Sequence, residues 1–460
     1  MINTATKIKK ISLFIGDVFI LYFSLWLTLL VRYNEAVTAE RWAQHFIPFT
    51  LIFILWIIVF YITSFYDLSL AKNNTIFFAN FFKSISWCVG LAIAFFYLFD
   101  AGIAPKTNLF IQLLIFTLLL IIWRQLFNKL AGATALQSNV LILGHSPTII
   151  DLASEINNKP QLGFKVVAIT RDGQLLLPET DLPENINFIE TPNSLKQLII
   201  EEKISTIIAG TDIRQDQKLI ADLYDCLSEK ITIFDLPTFL EKFTGKIPVN
   251  AIGQIWFLEN LNEESKSIYQ ISKRVMDILI ASVLLVLTLV FIPFIYAVVS
   301  LNSPGPFLFK QTRTGKNNKS FLAVKIRSMN KKAETNGPQW AQKNDPRITR
   351  SGKFMRKTRI DEIPQLFNIL KGEMSFIGPR PERPEFVTQL AEKIPFYNQR
   401  HLIKPGLSGW AQINFPYGAS EQDALEKLQY DLYYIKNRSF FLDLSILLKT
   451  IKTVLSGGGQ

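Results

Sequence analysis

Four long apolar runs occupy the first 130 residues of the chain. They span residues 11–31, 47–66, 81–99 and 109–123. The first two are nearly continuous and long enough for a helix to cross a bilayer. The other two are weaker because Lys83 and Arg124 interrupt or bound them, although long basic stems can reach the membrane interface. The pattern predicts a bundle of four transmembrane helices in residues 1–130.

Basic residues flank this set of runs at both ends. Those before the first run and after the fourth are Lys7, Lys9, Lys10, Arg124 and Lys129. Cytoplasmic loops carry an excess of Lys and Arg, so both flanks are predicted to be cytoplasmic, as four crossings require.

Asp17 lies inside the first apolar run, where a carboxylate is costly. Two interpretations are open at this point. We favour a polar contact that packs helices together, and the alternative is a relay for protons.

Hydropathy falls at Ala131, and short buried-strand patterns then alternate with helical ones. Strands are predicted at 140–144, 165–170, 206–210 and 231–234, so residues 131–260 are expected to form a cytoplasmic Rossmann-like domain with a parallel sheet. Its first turn, Gly144-His145-Ser146-Pro147, lacks the glycines of a dinucleotide site. We therefore interpret the domain as degenerate and non-catalytic, with a regulatory nucleotide site as the alternative.

A fifth apolar run covers residues 278–299 and would reach about 33 Å as a helix. Its length favours a crossing, but Lys and Arg flank it on both sides, which favours cytoplasmic placement of both ends. Pro293 lies within the run, where it disrupts a continuous helix. The prediction is a re-entrant helix at about residues 275–300 that breaks at Pro293; a kinked full crossing is the alternative.

Composition agrees with a membrane protein, since 49% of the 460 residues are hydrophobic and only 19% are charged. The formal net charge is +11, and it is concentrated in one place. Residues 301–360 contain fifteen Lys and Arg against two acids, Glu334 and Asp345, so this segment is suited to bind an anion. Two Cys and three widely spaced His exclude a disulfide framework and argue against a His-rich metal site.

Asp361 and Glu362 are adjacent acids among basic neighbours, just before Pro364. Because proline is favoured in the first turn of a helix, both carboxylates are expected at a helix N-terminus, where amides face a phosphate. Two such carboxylates suit Mg²⁺ binding and nucleophilic attack, and Arg356 is near enough in sequence to clamp a phosphoryl group.

Five ordered motifs give residues 270–460 a resemblance to the bacterial sugar transferase family, the monotopic polyprenyl-phosphate hexose-1-phosphate transferases. The motifs are SPGPFLFKQTRTG at 303–315, KIRSM at 325–329, RKTRIDEIPQL at 356–366, GPRP at 378–381 and KPGLSGWAQIN at 404–414. The four crossings and the Rossmann-like domain resemble the large-form members by architecture. The resemblance implies an α-rich catalytic domain at residues 265–460.

The family's chemistry implies roles for individual residues. Asp361 would be the nucleophile that holds the sugar phosphate covalently, Glu362 a Mg²⁺ ligand, and Arg356 a catalytic cation. The residues expected to bind the substrate are Arg313, Lys325, Arg327, Arg380 and Lys404. The implied enzyme is an undecaprenyl-phosphate glucose or galactose phosphotransferase that begins exopolysaccharide, capsule or O-antigen synthesis.

The implied partners are a UDP-sugar, undecaprenyl phosphate, the lipid bilayer and a second copy in a homodimer, and not nucleic acid. The implied location is the bacterial inner membrane, with the catalytic domain on the cytoplasmic face. Two other functions are kept open: a membrane-anchored nucleotide-sugar dehydratase and a non-catalytic scaffold for polysaccharide assembly.

Three features near the C-terminal half have two interpretations each. Tyr269 and Lys273 have the spacing of a dehydrogenase pair, but a plain helix face is favoured. Trp410 would stack on a base or sugar, or else pack in the core, and His401 is expected to be structural. Residues 440–455 form an amphipathic stripe that would lie on the membrane or pack against the domain.

Overall fold

The computed structural model describes most of the chain in two compact units, Met1–Phe243 and Thr244–Gln460. The described residues are 4–98, 105–132, 137–144, 146–171, 187–190, 194–210, 217–261, 267–302, 305–330, 333, 345–415, 418 and 420–455.

The first unit begins with four long helices, α1 (Thr4–Tyr33), α2 (Ala39–Ile62), α3 (Thr75–Leu98) and α4 (Pro105–Ala131). All four are long and apolar enough to cross a membrane, as the sequence predicted. Their core is aromatic, with Trp56 and Phe116 ring centroids 4.9 Å apart. Helices α1 and α4 approach closely at Gly16, where a Cβ atom would lie 2.1 Å from the Trp123 ring.

Asp17 is fully buried and paired with Arg124 of α4. Trp123 Nε1 also donates to Asp17 Oδ1 at 3.2 Å, and Arg124 donates to the Phe65 carbonyl at 2.8 Å. A buried ion pair with these additional hydrogen bonds joins two helices, so the packing interpretation of Asp17 is confirmed. Arg124 is itself only 2% exposed, because the buried carboxylate holds its guanidinium among the helices.

An α/β domain completes the first unit. Its strands are β1 (Ser138–Leu143), β2 (Phe164–Arg171), β3 (Asn187–Glu190), β4 (Ile204–Ala209) and β5 (Thr232–Asp235). Its helices are α5 (Pro147–Asn158), α6 (Leu195–Glu201), α7 (Gln217–Asp225) and α8 (Leu236–Thr244). The strands pair in parallel in the order β3-β2-β1-β4-β5, with apolar clusters on both faces. The predicted Rossmann-like sheet is therefore present, and β3 is a strand that the sequence pattern did not reveal.

The first turn of this sheet uses its own side chains to complete its hydrogen bonds. Gly144 has φ +89°, a conformation that favours glycine, and its amide donates to Thr170 Oγ1 at 2.9 Å. Ser146 caps α5 by accepting from the Ile149 amide at 3.3 Å, and Pro147 has no amide hydrogen to donate. His145 lies outside the described residues. Among the described residues of this turn, the Gly144 and Ile149 amides are thus engaged by side chains of the protein, and Pro147 has no amide hydrogen to offer a phosphate.

The second unit is mainly helical. Its helices are α9 (Gln254–Asn260), α10 (Ser267–Leu289), α11 (Ile292–Asn302), α12 (Arg350–Thr358), α13 (Gln365–Lys371), α14 (Pro384–Lys393), α15 (Trp410–Asn414), α16 (Glu421–Asn437) and α17 (Phe440–Leu455). Its strands are the antiparallel pair β6 (Leu308–Thr314) and β7 (Ser320–Ile326), and the parallel pair β8 (Ser375–Ile377) and β9 (Gly406–Ser408). One apolar core joins α10, α13, α14, α16 and α17 with β7 and β8.

Helices α10 and α11 meet at a 64° bend. The break falls at residues 290–291, so Pro293 is the second residue of α11. Proline fits the first turn of a helix but clashes with the carbonyl four residues before it, which explains why α10 ends at Leu289. The expected break is present, two residues before the proline.

Residues 244–260, which the sequence pattern assigned to the middle domain, belong to the second unit. The Ile247 amide donates to the Gln429 carbonyl at 3.1 Å, and Lys246 pairs with Glu426 of α16. Ile247 and Val249 are buried in the core of this unit. These contacts link residues about 180 positions apart, which local hydropathy does not report.

Tyr269 and Lys273 lie on α10 and bind one buried carboxylate, that of Asp443 in α17. Tyr269 donates to Asp443 Oδ2 at 2.7 Å, Lys273 does so at 2.8 Å, and Tyr434 donates to Oδ1 at 2.7 Å. The pair therefore fastens helices together, in agreement with the helix-face interpretation. Helix α17 has two faces: Asp443 and Ile446 are buried, whereas Phe441 is 82% exposed.

Candidate active site

The two adjacent acids form a short turn of their own between α12 and α13. Helix α12 starts at a Thr349 cap and ends at Arg359, whose φ of +59° reverses the chain. A single 3₁₀ turn, Ile360–Glu362, follows, and Pro364 directly precedes α13. The sequence predicted this helix start correctly, although the acids occupy a separate turn before α13 rather than its first residues.

Glu362 is buried and bound by three cations. Its Oε1 atom accepts from Arg380 at 2.7 Å, from Lys325 at 3.2 Å and from Arg359 at 3.4 Å. Burial alone would raise the pKa of Glu362, but these three cations hold that pKa well below its usual range. All three contacts end on one oxygen, and Oε2 has no hydrogen bond to the part of the chain that the structure describes.

Asp361 has a different environment although it is the next residue. Its carboxylate is 6% exposed, and the buried Oδ1 atom has no hydrogen-bond partner among the described residues. Burial and the neighbouring Glu362 charge raise the pKa of Asp361, while Lys325 and Arg356 oppose that rise. A carboxylate oxygen that is not occupied by a protein hydrogen bond is available to attack an electrophile.

Arg356 and Arg327 line the same cavity as the dyad but differ in their surroundings. The Nε atom of Arg356 donates to Ser328 Oγ at 2.9 Å, and its two terminal nitrogens have no hydrogen bond to any described residue. They are therefore available for a bidentate contact with a phosphoryl group. Arg327 is buried beside Gly305, whose φ is +135° and where a Cβ atom would lie 2.1 Å from the guanidinium.

The loop at residues 378–382, which we call the Arg380 loop, is fixed by hydrogen bonds to four successive carbonyls. Those of Pro379, Arg380, Pro381 and Glu382 accept, respectively, from Gly406 N at 2.8 Å, Arg400 at 3.1 Å, Arg313 at 3.1 Å and Thr314 N at 2.9 Å. The prolines of this loop cannot donate amide hydrogens, so partners from other elements hold it. This arrangement positions Arg380 to donate to Glu362.

Arg400 is a deeply buried member of this set of partners. It is 4% exposed and donates to Asp431 Oδ2 at 2.7 Å and to the Tyr397 hydroxyl at 2.6 Å. Sequence reasoning did not find Arg400 or Asp431, because they are 31 residues apart and neither belongs to a quoted motif. Arg313, predicted to bind substrate, likewise has protein partners: the Pro381 carbonyl, Gln311, and the Glu382 carboxylate at 3.7 Å.

These residues surround one cavity of about 770 Å³. Seven of the predicted site residues line it: Asp361, Glu362, Arg356, Arg313, Lys325, Arg327 and Arg380. Lys404 is not among the residues that line it; its ammonium lies with Arg274 beside Gly372, just after α13. Burial and the nearby Arg274 lower the pKa of Lys404. Five further cations line the cavity and were not predicted: Arg347, Arg359, Arg383, Arg400 and Lys427.

Two aromatic residues from the last motif region prove structural. Trp410 stacks on Tyr433 with centroids 5.6 Å apart and donates to the Gly245 carbonyl at 2.9 Å, as expected of a packing role. His401 is buried against Asn318, 2.6 Å from its Nδ1, and burial and the Arg400 charge lower its pKa to about 3. Neither lines the cavity.

The site offers few protein ligands for a metal ion, namely the carboxylates of Asp361 and Glu362. Within the described ranges, no three His, Cys, Asp or Glu residues form a group that could hold a metal ion. The open Oε2 of Glu362 and the unpartnered Oδ1 of Asp361 are oxygen donors side by side. Mg²⁺ commonly binds through one or two carboxylates together with substrate phosphates, so this pair fits it.

Residues 268–457 match the family model described as bacterial sugar transferase. A relative from Aeromonas hydrophila, a UDP-N-acetylgalactosamine-undecaprenyl-phosphate N-acetylgalactosaminephosphotransferase, is 44% identical over 51% of this chain and 55% of its own length. A UDP-glucose:undecaprenyl-phosphate glucose-1-phosphate transferase from Escherichia coli (strain K12) is 33% identical over 65% of this chain and 64% of its own length.

A third relative is similar over a longer stretch. The UDP-glucose:undecaprenyl-phosphate glucose-1-phosphate transferase of Klebsiella pneumoniae is 32% identical over 72% of this chain and 71% of its own length. The chain thus spans just over half to nearly three quarters of the lengths of these three relatives.

Proposed function

The chain belongs to the bacterial sugar transferase family, and we propose that it transfers a sugar 1-phosphate from a UDP-sugar to undecaprenyl phosphate. This transfer begins the assembly of an exopolysaccharide, a capsule or an O-antigen. The observation that carries the proposal is the contrast within the dyad: a buried, unpartnered Asp361 beside a Glu362 that three cations hold ionised, in a cation-lined cavity.

In the first step, an oxygen of Asp361 attacks the β-phosphorus of the UDP-sugar. A bond forms between that oxygen and phosphorus, the bond from phosphorus to the bridging oxygen breaks, and UMP leaves with the electron pair. Arg356 and Arg380 neutralise charge on the phosphoryl oxygens, because guanidinium groups match phosphate geometry.

In the second step, a phosphate oxygen of the lipid attacks the same phosphorus. The acyl–phosphate bond breaks, the Asp361 carboxylate is regenerated, and the sugar phosphate is joined to the lipid phosphate. Because Asp361 acts in both steps, the two substrates react in turn and the kinetics are ping-pong.

Mg²⁺ is the proposed cofactor, with Glu362 Oε2 and a carboxylate oxygen of Asp361 as its protein ligands. When bound, it would supply positive charge to the diphosphate. Lys325, Arg359 and Arg380 hold the other oxygen of Glu362, which would leave Oε2 for the ion.

We place the catalytic unit on the cytoplasmic face of the bacterial inner membrane, with α10 and α11 as a re-entrant pair. The 64° bend supports this, as do the basic flanks and the exposed apolar residues along both helices, such as Leu287, Val290 and Phe294. At the N-terminus, Lys9 donates to the carbonyls of Ala131 and Gln161, so the start of α1 and the end of α4 lie at the α/β domain.

Cysteine labelling tests this topology. Both native cysteines, Cys88 and Cys226, are buried, so background labelling should be low. Ile268→Cys and Lys310→Cys are at exposed positions before α10 bends and after α11 ends, and both should be labelled from the cytoplasmic side only. Labelling from opposite sides would replace the re-entrant pair with a full crossing.

The donor sugar is assigned only to a class. The relatives' names specify UDP-N-acetylgalactosamine and UDP-glucose, so both belong in a donor panel with UDP-galactose. Product analysis separates the alternatives, because a dehydratase would yield a keto-sugar without lipid and a scaffold would yield no product. A homodimer remains a prediction, to be checked by the mass of the purified protein in nanodiscs.

The central experiment omits the lipid acceptor. Purified protein with Mg²⁺ and a radiolabelled UDP-sugar should release about one UMP per active site and retain the sugar phosphate covalently. If UMP appears only when both substrates are bound together, the transfer is direct and the two-step proposal is wrong.

A further inference from the structure

The cavity contains acids that repel the diphosphate as well as cations that attract it. Ten basic side chains line it: Arg313, Lys325, Arg327, Arg347, Arg356, Arg359, Arg380, Arg383, Arg400 and Lys427. Four acids do so: Asp361, Glu362, Glu382 and Asp431. The first two belong to the proposed chemistry, and Asp431 is paired with Arg400. Glu382 has no task in the mechanism described above.

The Glu382 carboxylate is open toward the cavity. Its side chain is 24% exposed, and its nearest partner is Arg313 at 3.7 Å, which is too long for a hydrogen bond. Arg313 already donates to the Pro381 carbonyl and to Gln311. The Glu382 carboxylate makes no hydrogen bond within the part of the chain that the structure describes.

The main chain fixes the position of this carboxylate relative to the diphosphate site. The Glu382 carbonyl accepts from the Thr314 amide at 2.9 Å, at the end of the Arg380 loop. Arg380, two residues earlier, contacts Glu362 at 2.7 Å, and two residues span at most about 7 Å. Arg313 interacts electrostatically with both Glu382 and Glu362, so the Glu382 carboxylate and the dyad share one part of the cavity.

Glu382 lies among cations, since its charge acts on Arg313, Arg400 and Lys427, and its carboxylate oxygens are left to accept hydrogen bonds from a ligand. Facing the diphosphate it would weaken binding by charge repulsion, whereas a hydroxyl group gives it a charge-assisted hydrogen bond. In a UDP-sugar, the diphosphate is flanked by ribose on one side and by the sugar on the other, and both carry hydroxyls.

We propose that Glu382 is a donor-binding residue of this site, which accepts hydrogen bonds from hydroxyl groups of the donor substrate. The inference rests on the proposed function. The ligand is a pair of hydroxyl groups next to a diphosphate. These hydroxyls belong either to the transferred sugar or to the ribose, and the experiment below distinguishes the two.

The test uses the full chain in nanodiscs with saturating undecaprenyl phosphate and whichever UDP-sugar of the panel it turns over. Glu382→Gln keeps the side-chain volume and removes the charge. We expect the KM for the UDP-sugar to rise about 10- to 100-fold, with kcat changed much less. The matched control is Glu392→Gln on α14, because Glu392 is exposed and does not line the cavity; its KM should equal that of the wild type.

Inhibition by UDP identifies which hydroxyls are bound. UDP carries the ribose but no transferred sugar. If its inhibition constant rises together with the KM, Glu382 binds the ribose; if that constant is unchanged while the KM rises, Glu382 binds the sugar. Both results support the inference.

Deoxy substrates provide a second test, whose first measurement uses wild-type protein and so does not depend on the folding of a variant. A UDP-sugar lacking the contacted hydroxyl should bind wild-type protein about tenfold or more weakly. It should lose little further affinity in Glu382→Gln, because the two changes remove the same contact.

Three results would overturn the inference. One is a KM in Glu382→Gln equal to that of the wild type, and another is unchanged wild-type binding of every single-deoxy donor. The third is a shift in Mg²⁺ half-saturation with unchanged donor KM, which would make Glu382 a metal ligand. UMP release by the wild type reports on the proposed function separately, so its failure is distinct from these.

Discussion

The starts of helices α5 and α13 differ in function: the first is closed by its own cap, and the second forms part of the candidate active site. At the start of α5, the Ser146 side chain caps a free amide and Pro147 carries no amide hydrogen. At the start of α13, Asp361 and Glu362 occupy the turn, and Lys325, Arg356, Arg359 and Arg380 influence their charges. Helix N-termini attract anions in general, so the difference shows that side-chain chemistry decides whether such a turn becomes a site.

The two turns also differ in the partners that stabilise them. The α5 turn is completed by neighbours within a few residues and by Thr170 on the next strand. The dyad depends on partners from β7, from the Arg380 loop and from Arg400 in the segment before β9. A site assembled from distant segments is more sensitive to changes far from the chemistry than a turn that is completed locally.

The largest effect should come from Asp361→Asn, which preserves shape and removes the nucleophile. Turnover should fall roughly 1,000-fold or more, and the covalent label should disappear. The matched change at the other helix is Asp151→Asn on α5, which should leave both unchanged because Asp151 is exposed. A labelled intermediate in Asp361→Asn would locate the nucleophile elsewhere.

Glu362→Gln should reduce activity strongly and shift the Mg²⁺ dependence to higher concentrations. It should also destabilise the catalytic unit by about 3–5 kcal/mol, because three cations would lose their buried carboxylate. Thermal unfolding in detergent and an Mg²⁺ titration measure the two effects. An unchanged melting temperature would show that water replaces the carboxylate.

Arg400→Lys should lower kcat/KM by about 10- to 100-fold, although Arg400 contacts neither substrate in the proposed mechanism. A lysine cannot donate at once to Asp431, Tyr397 and the Arg380 carbonyl, so the Arg380 loop should shift. The double variant Arg400→Met with Asp431→Leu removes both buried charges. It should regain stability but not turnover; recovery of turnover would limit Arg400 to a role in folding.

The smallest effect should come from the capped turn itself. Ser146→Ala removes the α5 cap and should cost about 1 kcal/mol of stability in the first unit, with turnover unchanged. Steady-state kinetics and thermal unfolding of the full chain measure both. A clear loss of turnover would mean that the α/β domain takes a direct part in catalysis, and the contrast between the two helix starts would fail.

Much of this protein was predictable because its signals are local. Apolar runs indicated α1 to α4, strand and helix patterns indicated the parallel sheet, and Pro293 indicated the break before α11. Missing glycines predicted that the first turn lacks a phosphate site. The adjacent acids before Pro364, among basic neighbours, identified the dyad before any contact was known.

Other predictions failed or were incomplete because the deciding contacts are distant in sequence. Residues 244–260 join the second unit through α16, and Lys404 lies beside Gly372 rather than on the cavity. The buried pairing of Arg124 with Asp17, 107 residues away, was likewise not predicted.

The sequence by itself determined which residues carry charge, where the chain is apolar and where helices must start or break. Those properties follow from side-chain chemistry and local backbone geometry. Only the tertiary structure decided that Glu362 receives three cations while Asp361 receives no hydrogen bond from the described residues, since Lys325 and Arg380 come from segments distant in sequence. Adjacent residues of the same charge acquire different chemistry because electrostatic energies depend on distance in space and on burial, and the sequence specifies neither.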